Sequence, residues 1–508
     1  MGNDLIQIST PRPSPAFSSD TSGIAPDMAD AAGSSVSATV GECPQSVPSD
    51  GLGVGKSFYI ETFGCQMNVH DSEKVAGVLM ARGYRPVETH EEADIVLYNT
   101  CSIREKAAQK VFSRLGAFRE GRGGEKVIGV LGCVAQQEGD KFFERAPQVS
   151  LVCGSASYTK LAELLDQLEA GRRRVTGLSL ETEDCFETEL TRRDNPFRAY
   201  LTIIEGCDQR CAFCVVPTTR GPERSRPSSR ILAECRRLVD EGYAEIQLLG
   251  QIVNNWRDSA QPRLSFAELL ARIAEIPGIR RVRFTTSHPR FFTQDIVEAI
   301  DSHPALCDQI HLPVQSGSTT VLARMLRGYT REEYLERIAC IRRARRAISL
   351  STDIIVGFCG ESSADFAQTL SLLDEVGYDQ VFSFKYSERP NTAALGFPDS
   401  VPEDEKTRRL WVLQDHQRQI QLQRNQALVG REFEVLVEGF QPRLGQCVAR
   451  TSSNRVLNFE GQPNQVGEYL QVRVTSAGPN SLVGIQVEPN HTSGIKSATC
   501  KDAGTGRA

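Results

Sequence analysis

From Lys56 onwards, short apolar runs alternate with segments in which apolar residues recur at helical spacing. Four of these runs, SFYIETFGC, ADIVLYNTC, KVIGVLGC and VSLVCG, predict buried strands, and the intervening DSEKVAGVLMARG predicts a helix. Strands that alternate with helices indicate a parallel sheet covered by helices. The pattern therefore predicts an N-terminal parallel α/β domain, which we assign to residues 56–172.

A second α/β series follows a charged, poorly periodic segment that we interpret as a linker over residues 173–192. Six further apolar runs predict strands: AYLTIIEG, EIQLLGQ, RVRFTTSH, DQIHLPVQ, SLSTDIIVGF and QVFSFKYS. Helical segments separate them, which is typical of an incomplete β/α barrel. The sequence thus predicts a partial (β/α)6 barrel over residues 193–424. Its functional face is expected at the C-terminal ends of the strands.

The pattern changes again after the helical segment EDEKTRRLWVLQDHQRQIQLQRNQALVG. Residues 425–490 contain β-type runs separated by Gly and Asn turns, which is typical of a small antiparallel β-barrel. Residues 1–55 are rich in Ser, Pro, Ala, Gly and Asp and cannot bury a core, so they are predicted to form a disordered extension. Residues 491–508 are predicted to form a disordered tail.

Composition and charge narrow the class of protein. The 508 residues contain no apolar run long enough to span a bilayer, and their start lacks the features of a secretion signal. We therefore expect a cytoplasmic protein. Its 15 cysteines are then expected to be metal ligands, catalytic groups or buried apolar residues rather than disulfides. Residues 1–50 account for −5 of the net charge of −6, so the folded part can still present basic faces to nucleic acid.

The segment GCDQRCAFCVVPTTRG concentrates three cysteines, Cys207, Cys211 and Cys214, at the end of the first barrel strand. Three thiolates on one turn can bind three irons of a 4Fe-4S cluster and leave the fourth iron open for a substrate. A zinc site completed by His288 or His311 is the alternative, but closed zinc sites usually use paired C-x2-C spacing. The C-x3-C-x2-C spacing favours the cluster.

A second set of cysteines, Cys65, Cys101 and Cys133, follows three different strands of the N-terminal domain. The carboxyl ends of parallel strands meet at one edge of a sheet, so we expect these thiols to converge there. The alternative is three apolar core cysteines. Glycines before two of the cysteines and polar residues after all three favour exposed loop positions and a second cluster.

These motifs resemble the methylthiotransferases of the radical S-adenosylmethionine class, over residues 56 to about 490. The resemblance is carried by TFGCQMNVHDSE, NTCSIREKA, EGCDQRCAFCVVPTTRGPERSRP, LLGQIVNNW, FTTSHP, HLPVQSGS, RGYTREEY and TDIIVGF. The segment RTSSNRVLNFEG is similar to the RNA-binding TRAM domain, a small OB-like barrel. FTTSHP and PTTRGPERSRP favour the branch of the family that modifies tRNA.

The resemblance implies a reaction, its cofactors and its partners. It implies two 4Fe-4S clusters, on the two cysteine sets named above, and S-adenosylmethionine in two roles, as methyl donor and as radical source. The implied reaction adds a methylthio group at C2 of N6-isopentenyladenosine at tRNA position 37, beside the anticodon. The implied partners are tRNA, a sulfur donor and an electron donor such as a flavodoxin or ferredoxin. Two alternatives stay open: an enzyme of this class acting on N6-threonylcarbamoyladenosine tRNA or a ribosomal protein, and a non-catalytic iron–sulfur RNA-binding protein.

Several further residues are candidates on weaker grounds. Gln251, Gln315 and Ser316 lie at predicted strand ends, where they can contact a cofactor or simply cap a helix. In the C-terminal barrel, Arg450, Arg455 and Phe459 combine positive charge with a possible stacking ring, which suits single-stranded RNA.

Cys153 closes the fourth N-terminal strand and therefore lies at the same predicted edge as the second cysteine set. A fourth thiolate there would occupy the open iron. Because the residue lies inside the strand, we expect it instead to be a buried apolar cysteine.

Overall fold

The computed structural model describes residues 53–102, 105–116, 118, 126–180, 191–259, 262–398 and 400–488, without the side chains of 105–108. The predicted extension, apart from its last three residues, and the predicted C-terminal tail lie outside these ranges. The chain divides into two compact units, one running to Arg424 together with Ser452–Asn454, the other holding the remaining residues from Asn425. Among the described residues, no helix is both long and apolar enough to cross a membrane.

The N-terminal half of the first unit is a six-stranded sheet in which every pairing is parallel. The strand order is β2-β1-β3-β4-β5-β6. The strands are β1 (Ser57–Phe63), β2 (Arg85–Pro86), β3 (Ile95–Thr100), β4 (Val127–Gly132), β5 (Leu151–Cys153) and β6 (Val175–Gly177). The helices are α1 (Gln66–Ala81), α2 (Glu105–Gly116), α3 (Cys133–Glu138), α4 (Lys141–Arg145) and α5 (Leu161–Glu169). Apolar clusters, one including Leu79 and Leu151 and the other Val130 and Phe142, form the two buried cores of this half.

The predicted N-terminal boundary of the linker is wrong, because residues 175–177 belong to the sheet of the N-terminal domain. Strand β6 pairs in parallel with β5 and supplies the edge of the sheet. Val175 is buried while Thr176 is exposed, and this alternation over three residues is too short to stand out in a charged segment. Residues 181–190 of the predicted linker lie outside the described ranges.

The second half of the first unit is the partial β/α barrel. Two parallel three-stranded sheets, of order β11-β10-β7 and β12-β13-β14, are joined by a parallel bridge between Val282 and Leu306. Its strands are β7 (Arg198–Thr202), β10 (Glu245–Leu249), β11 (Arg281–Phe284), β12 (Gln309–His311), β13 (Ser349–Val356) and β14 (Gln380–Lys385), and a two-stranded ribbon is formed by β8 (Ile204–Glu205) and β9 (Arg224–Ser225). The helices are α6 (Val216–Arg220), α7 (Ser228–Asp240), α8 (Phe266–Ala274), α9 (Gln294–Ser302), α10 (Thr319–Arg324), α11 (Arg331–Arg342), α12 (Ser363–Val376) and α13 (Glu403–Gln426). The six main strands lie in chain order, as the alternating pattern predicts.

The second unit contains a closed five-stranded barrel of order β15-β16-β17-β19-β18. Its strands are β15 (Glu432–Gln441), β16 (Gln446–Thr451), β17 (Val456–Glu460), β18 (Tyr469–Ala477) and β19 (Leu482–Val487). All pairings are antiparallel except that between β17 and β19. A five-stranded barrel of this kind is the OB-like architecture that the sequence predicts.

Two of the three predicted RNA-contacting residues are placed differently from the prediction. Phe459 is fully buried among the apolar side chains inside the barrel, because residues 457 and 459 share the inward face of β17. Its ring is therefore not available for stacking on a base. Arg450 is also buried, and its Nε lies 2.9 Å from both carboxylate oxygens of Glu438. Arg455 is half-buried, and its Nε donates to Oδ1 of Asn425 at 3.0 Å.

We predict that Phe459→Ala destabilises the C-terminal barrel by about 3–5 kcal/mol, as expected for removing a fully buried aromatic side chain. Hydrogen–deuterium exchange across residues 432–487 of the full chain measures this effect. Val483→Ala on the neighbouring strand is the control, because Val483 is one of the exposed apolar residues and its truncation leaves exchange nearly unchanged. Unchanged exchange in the Phe459 variant would contradict a core role.

Candidate functional site

The three N-terminal cysteines follow neighbouring strands, as predicted. Cys65 precedes the first residue of α1, Cys101 comes directly after β3, and Cys133 is the first residue of α3 after β4. The backbone N–H of Cys101 donates to the carbonyl oxygen of Phe63 at 2.9 Å, which fixes the ends of β1 and β3 side by side. The parallel sheet therefore brings cysteines from distant parts of the chain to one edge.

Asparagine side chains hold this edge in place. The Cys65 thiol donates to Oδ1 of Asn68 at 3.2 Å, and Nδ2 of Asn68 donates to Oδ1 of Asn99 at 3.2 Å. Asn99 in turn donates to the Asn68 carbonyl and to the Ser72 hydroxyl, both at 2.9 Å. Gly132 adopts a φ of +89°, and a β-carbon there would clash with the Asn99 side chain. Glycine before Cys133 therefore makes room for the asparagine network.

Neighbouring groups at this edge lower the pKa of Cys65. A hydrogen bond with the Cys101 thiol lowers the pKa of Cys65 well below its usual value, against the opposing effect of burial. The positive charge of Arg220 adds to this lowering. The thiolate is the form of cysteine that binds metals.

One expectation about this edge is wrong, since Cys101 and Cys133 do not occupy exposed loop positions. They are 2% and 5% exposed. Their burial comes from the second half of the unit, because α6 packs against α3 and Ser155 Oγ donates to the Thr219 carbonyl at 2.9 Å. The sequence pattern of one domain could not reveal that another domain covers it.

Cys153 occupies a different environment from these three residues. Its side chain is fully buried in the apolar core, and its Sγ lies 3.5 Å from the Ser157 carbonyl oxygen. Burial raises the pKa of this thiol to about 12. This placement agrees with the expected buried apolar cysteine.

The C-x3-C-x2-C segment forms a closed loop after β8. The backbone N–H of Cys207 donates to the Gly221 carbonyl at 3.1 Å, and that of Cys214 donates to the Cys211 carbonyl at 3.0 Å. Gly206 has a φ of +77°, and a β-carbon there would clash with the carbonyl oxygen of Pro222. The start and end of the loop are thus held together by backbone contacts.

The three thiols of this loop differ in exposure, since Cys207 is buried whereas Cys211 and Cys214 are partly exposed. Burial raises the pKa of Cys207 to about 11 and that of Cys214 to about 12. Cys211 accepts a hydrogen bond from Nη1 of Arg327, with 3.3 Å between nitrogen and sulfur. Metal binding ionises such thiols because the ion carries the compensating positive charge.

The donors of each set are three cysteine thiols, and thiolates are the ligands that hold iron–sulfur clusters. Throughout the described part of the chain, no three His, Cys, Asp or Glu side chains are close enough to hold one ion. Nδ1 of His288 accepts from the Arg290 backbone at 3.2 Å, and Nδ1 of His311 is 3.0 Å from the Ser351 hydroxyl, so Nε2 is the ring atom that either residue could offer to a zinc ion. An iron–sulfur cluster tolerates wider spacing, because each thiolate binds a different iron.

Buried polar atoms without hydrogen-bond partners accompany both sets. Buried polar groups are normally paired, so such atoms point to binding sites. At the thiol edge of the N-terminal sheet they are Thr100 Oγ1 and Ser102 Oγ, and after β10 and β11 they are Gln251 Oε1, Ser287 Oγ and His288 Nε2. Burial, followed by the charge of Arg327, lowers the pKa of His288 to about 2, so its ring is neutral. These residues fit a polar ligand at each set of thiols.

The predicted cofactor residues at the barrel top differ in their placement. Gln251 presents the unpaired oxygen named above. Gln315 has a φ of +74° and is held by backbone hydrogen bonds with Asp353 and Ile355, both at 2.9 Å. The Ser316 hydroxyl accepts, at 3.2 Å, from the backbone N–H of Ser318, the residue that caps α10. This geometry gives Ser316 a structural role. Cofactor binding by Gln251, Gln315 and Ser316 stays a prediction.

Contacts within the first unit join the two sets of cysteines. Nη2 of Arg220, on α6, lies 2.7 Å from Oδ2 of Asp71, on α1, and both side chains are buried. Gln247 on β10 donates to Gln66 at 3.0 Å. Arg220 and Arg327 lie in the motifs PTTRG and RGYT, but nothing in a motif shows which charged side chain turns inward, so their roles could not be predicted from the sequence.

Family models match three parts of the chain. These are Uncharacterized protein family UPF0004 over residues 57–154, the Radical SAM superfamily over residues 201–373 and the TRAM domain over residues 426–487.

Curated relatives match most of the chain. A protein of Solibacter usitatus named tRNA-2-methylthio-N(6)-dimethylallyladenosine synthase is 64% identical over 435 residues, which cover 85% of this chain and 98% of that protein. A protein of the same name from Aquifex aeolicus is 42% identical over 439 residues, covering 86% of this chain and 99% of its own.

Among solved structures, the radical S-adenosylmethionine methyltransferase TsrM from Kitasatospora setae, with cobalamin and a [4Fe-4S] cluster bound, has a TM-score of 0.50. It is 13% identical and covers 67% of this chain and 74% of its own. At this identity, the likeness concerns the fold alone.

We predict that Cys153→Val leaves the iron content of the reconstituted full chain unchanged, because this thiol packs in the core and valine has a similar volume. Cys133→Val, at the end of the neighbouring strand, is the matched variant and is expected to lose iron. Iron and acid-labile sulfide analysis after anaerobic reconstitution measures both. Equal iron loss in the two variants would make Cys153 a ligand and contradict a three-cysteine site.

Proposed function

This chain belongs to the family of tRNA-2-methylthio-N(6)-dimethylallyladenosine synthases, and on that basis we propose how its two sets of cysteines divide the reaction between them. It is an enzyme of the radical S-adenosylmethionine class that methylthiolates N6-dimethylallyladenosine in tRNA. The observation that carries the proposal is the presence of two separate sets of three cysteines within one compact unit, one set at three strand ends of the N-terminal sheet and the other on a single loop after β8.

The first proposed site is a radical-generating cluster on Cys207, Cys211 and Cys214. The loop places three thiols on one turn and offers no fourth cysteine, so one iron is left to bind S-adenosylmethionine. The unpaired oxygen of Gln251 faces this end of the barrel in our proposal and contacts the cofactor or the substrate base.

The second proposed site is an auxiliary 4Fe-4S cluster on Cys65, Cys101 and Cys133. The hydrogen bond with Cys101 lowers the pKa of Cys65, which eases its ionisation on metal binding, and the asparagine network orients Cys65. When bound, the two clusters supply the two requirements of methylthiolation, a 5′-deoxyadenosyl radical derived from S-adenosylmethionine and a sulfur atom for transfer.

The protein's own residues place and shield the reacting carbon. We propose that the base at tRNA position 37 enters between the two sets of thiols, with C2 as the carbon that receives the methylthio group. A base in an anticodon loop can be unstacked at modest cost, which makes it accessible to a buried site. The buried neutral His288 and the Ser287 hydroxyl offer polar contacts without adding charge.

The proposed partners follow from the same reaction. The OB-like barrel of the second unit contacts the tRNA, and such barrels commonly bind single-stranded nucleic acid. A sulfur donor and an electron donor, such as a flavodoxin or ferredoxin, are required. Because tRNA is its substrate, we place the enzyme in the cytoplasm.

We propose that the N-terminal domain extends to Gly177, since β6 completes its sheet.

Mass spectrometry of tRNA nucleosides tests the substrate. A deletion strain should accumulate N6-dimethylallyladenosine and regain its 2-methylthio derivative when the gene is restored. Loss of the methylthio group from N6-threonylcarbamoyladenosine, or from a ribosomal protein, would support the alternative substrates instead.

We predict that Cys211→Ala abolishes 5′-deoxyadenosine formation by the reduced, reconstituted enzyme, because it removes one ligand of the radical-generating cluster. Cys101→Ala is expected to retain S-adenosylmethionine cleavage and lose methylthio transfer. Chromatographic assays of 5′-deoxyadenosine and of modified tRNA separate the two effects. Full methylthio transfer by the Cys101 variant would place the sulfur source elsewhere.

We predict that Arg455→Ala weakens tRNA binding and reduces the salt dependence of the binding constant, since each lost phosphate contact lowers the slope by about one. Titrations of tRNA binding at several salt concentrations measure this slope. Arg450→Ala is a poor probe of phosphate contact because Arg450 is already paired with Glu438. An unchanged slope in the Arg455 variant would remove this residue from the RNA-binding surface.

A further inference from the structure

Arg220 follows the cysteines of one proposed site along the chain, but its side chain lies near the other proposed site. It is the last residue of α6, which starts two residues after Cys214. Its side chain is 6% exposed and reaches Asp71, which is 1% exposed and lies on α1, six residues after Cys65. The helix that follows the loop of Cys207, Cys211 and Cys214 thus supplies a buried cation to the cysteine-bearing edge of the N-terminal sheet.

Helix packing brings Arg220 towards the N-terminal thiols, because α6, which ends at Arg220, packs against α3, whose first residue is Cys133. Burial opposes a rise in the pKa of Arg220, but Asp71, followed by Cys133 and Cys65, raises it. Burial raises the pKa of Asp71, and Arg220 is the first group that opposes this rise. One buried cation therefore pairs with a carboxylate of α1 and interacts electrostatically with two of the three proposed ligands.

The backbone around Arg220 holds the guanidinium in this position. Its carbonyl oxygen accepts a hydrogen bond from Nη1 of Arg224 at 3.4 Å, and the preceding carbonyl, that of Thr219, accepts from Ser155 at 2.9 Å. The next carbonyl, that of Gly221, accepts from the Cys207 backbone. Three successive residues are thus fixed by partners from three different segments.

A fixed buried cation has a definite effect on a neighbouring cluster. Adding an electron makes the cluster more negative, and a nearby positive charge stabilises that state most in surroundings of low dielectric constant. We propose that Arg220 is a positioning residue for the auxiliary cluster on Cys65, Cys101 and Cys133. It holds the cysteine-bearing edge of the N-terminal sheet against the segment that carries the other three cysteines, and it raises the reduction potential of the auxiliary cluster. This inference rests on the proposed function, because it requires a cluster at that edge.

The alternative is an ion pair that only joins the two halves of the unit. Breaking a buried pair from either side loosens the structure in the same way. A charge effect, in contrast, shifts the reduction potential of the cluster in opposite directions for the two partners. Removing the cation lowers the potential, whereas removing the carboxylate leaves the cation uncompensated and raises it. Substitutions at Arg220 and Asp71 therefore separate the two explanations.

The experiment uses the full chain with Cys207, Cys211 and Cys214 all changed to Ala, so that only the auxiliary site is loaded. Its midpoint potential is measured by redox titration followed by electron paramagnetic resonance. Arg220→Gln is expected to shift the potential downwards, Asp71→Asn upwards, and Arg220→Lys much less than Arg220→Gln. Arg226→Gln is the matched control with no shift, since this buried arginine pairs with Glu234 and the Thr202 carbonyl.

Each outcome decides between the explanations. Shifts of the same sign in the Arg220→Gln and Asp71→Asn variants, or no shift in either, would overturn the charge effect and leave a structural pair. If Arg220→Gln fails to fold, Asp71→Asn alone decides, because a potential that does not rise contradicts the proposal. Absence of iron in the parent triple variant would instead contradict the auxiliary site and hence the proposed function.

Discussion

The buried ion pair between Asp71 and Arg220 is the contact on which the arrangement of the two cysteine sets depends. Two charges removed from water are costly, and they are tolerated only when their geometry is well matched. Here the pair joins α1, which begins after Cys65, to α6, which begins after Cys214. Losing one partner of such a pair typically costs about 3–5 kcal/mol. The position of each thiol set is therefore tied to that of the other.

The same region explains why α1 has such an unusual sequence. Residues 70–74, HDSEK, are polar, yet all five are buried. Their partners include Arg220 for Asp71 and Glu205 for Lys74, while His70 pairs with Glu73. A helix between two layers of one unit has no solvent face, so its polar residues must be satisfied by other protein groups.

The sequence predicts the strands and helices well, but it does not show which side chains become buried where these elements pack together. Strand periodicity indicates the parallel sheet and the six barrel strands, and the strand-end rule brings together Cys65, Cys101 and Cys133. The inward position of Phe459 follows from its register on β17, but the basic residues around it suggested an RNA surface. The roles of Arg220 and Arg327 depend on contacts more than 100 residues apart in sequence, with Asp71 and with Cys211. Local pattern carries no information about such pairs.

The edge strand β6 sets a limit on how this protein can be dissected. Its three residues come from the segment that leads into the barrel, so a fragment ending at residue 172 would lack them. Strand β5 would then present unpaired backbone N–H and carbonyl groups along an apolar stretch, which is the usual origin of aggregation between sheets. Isolated N-terminal fragments for crystallography or spectroscopy should therefore retain residues 175–177.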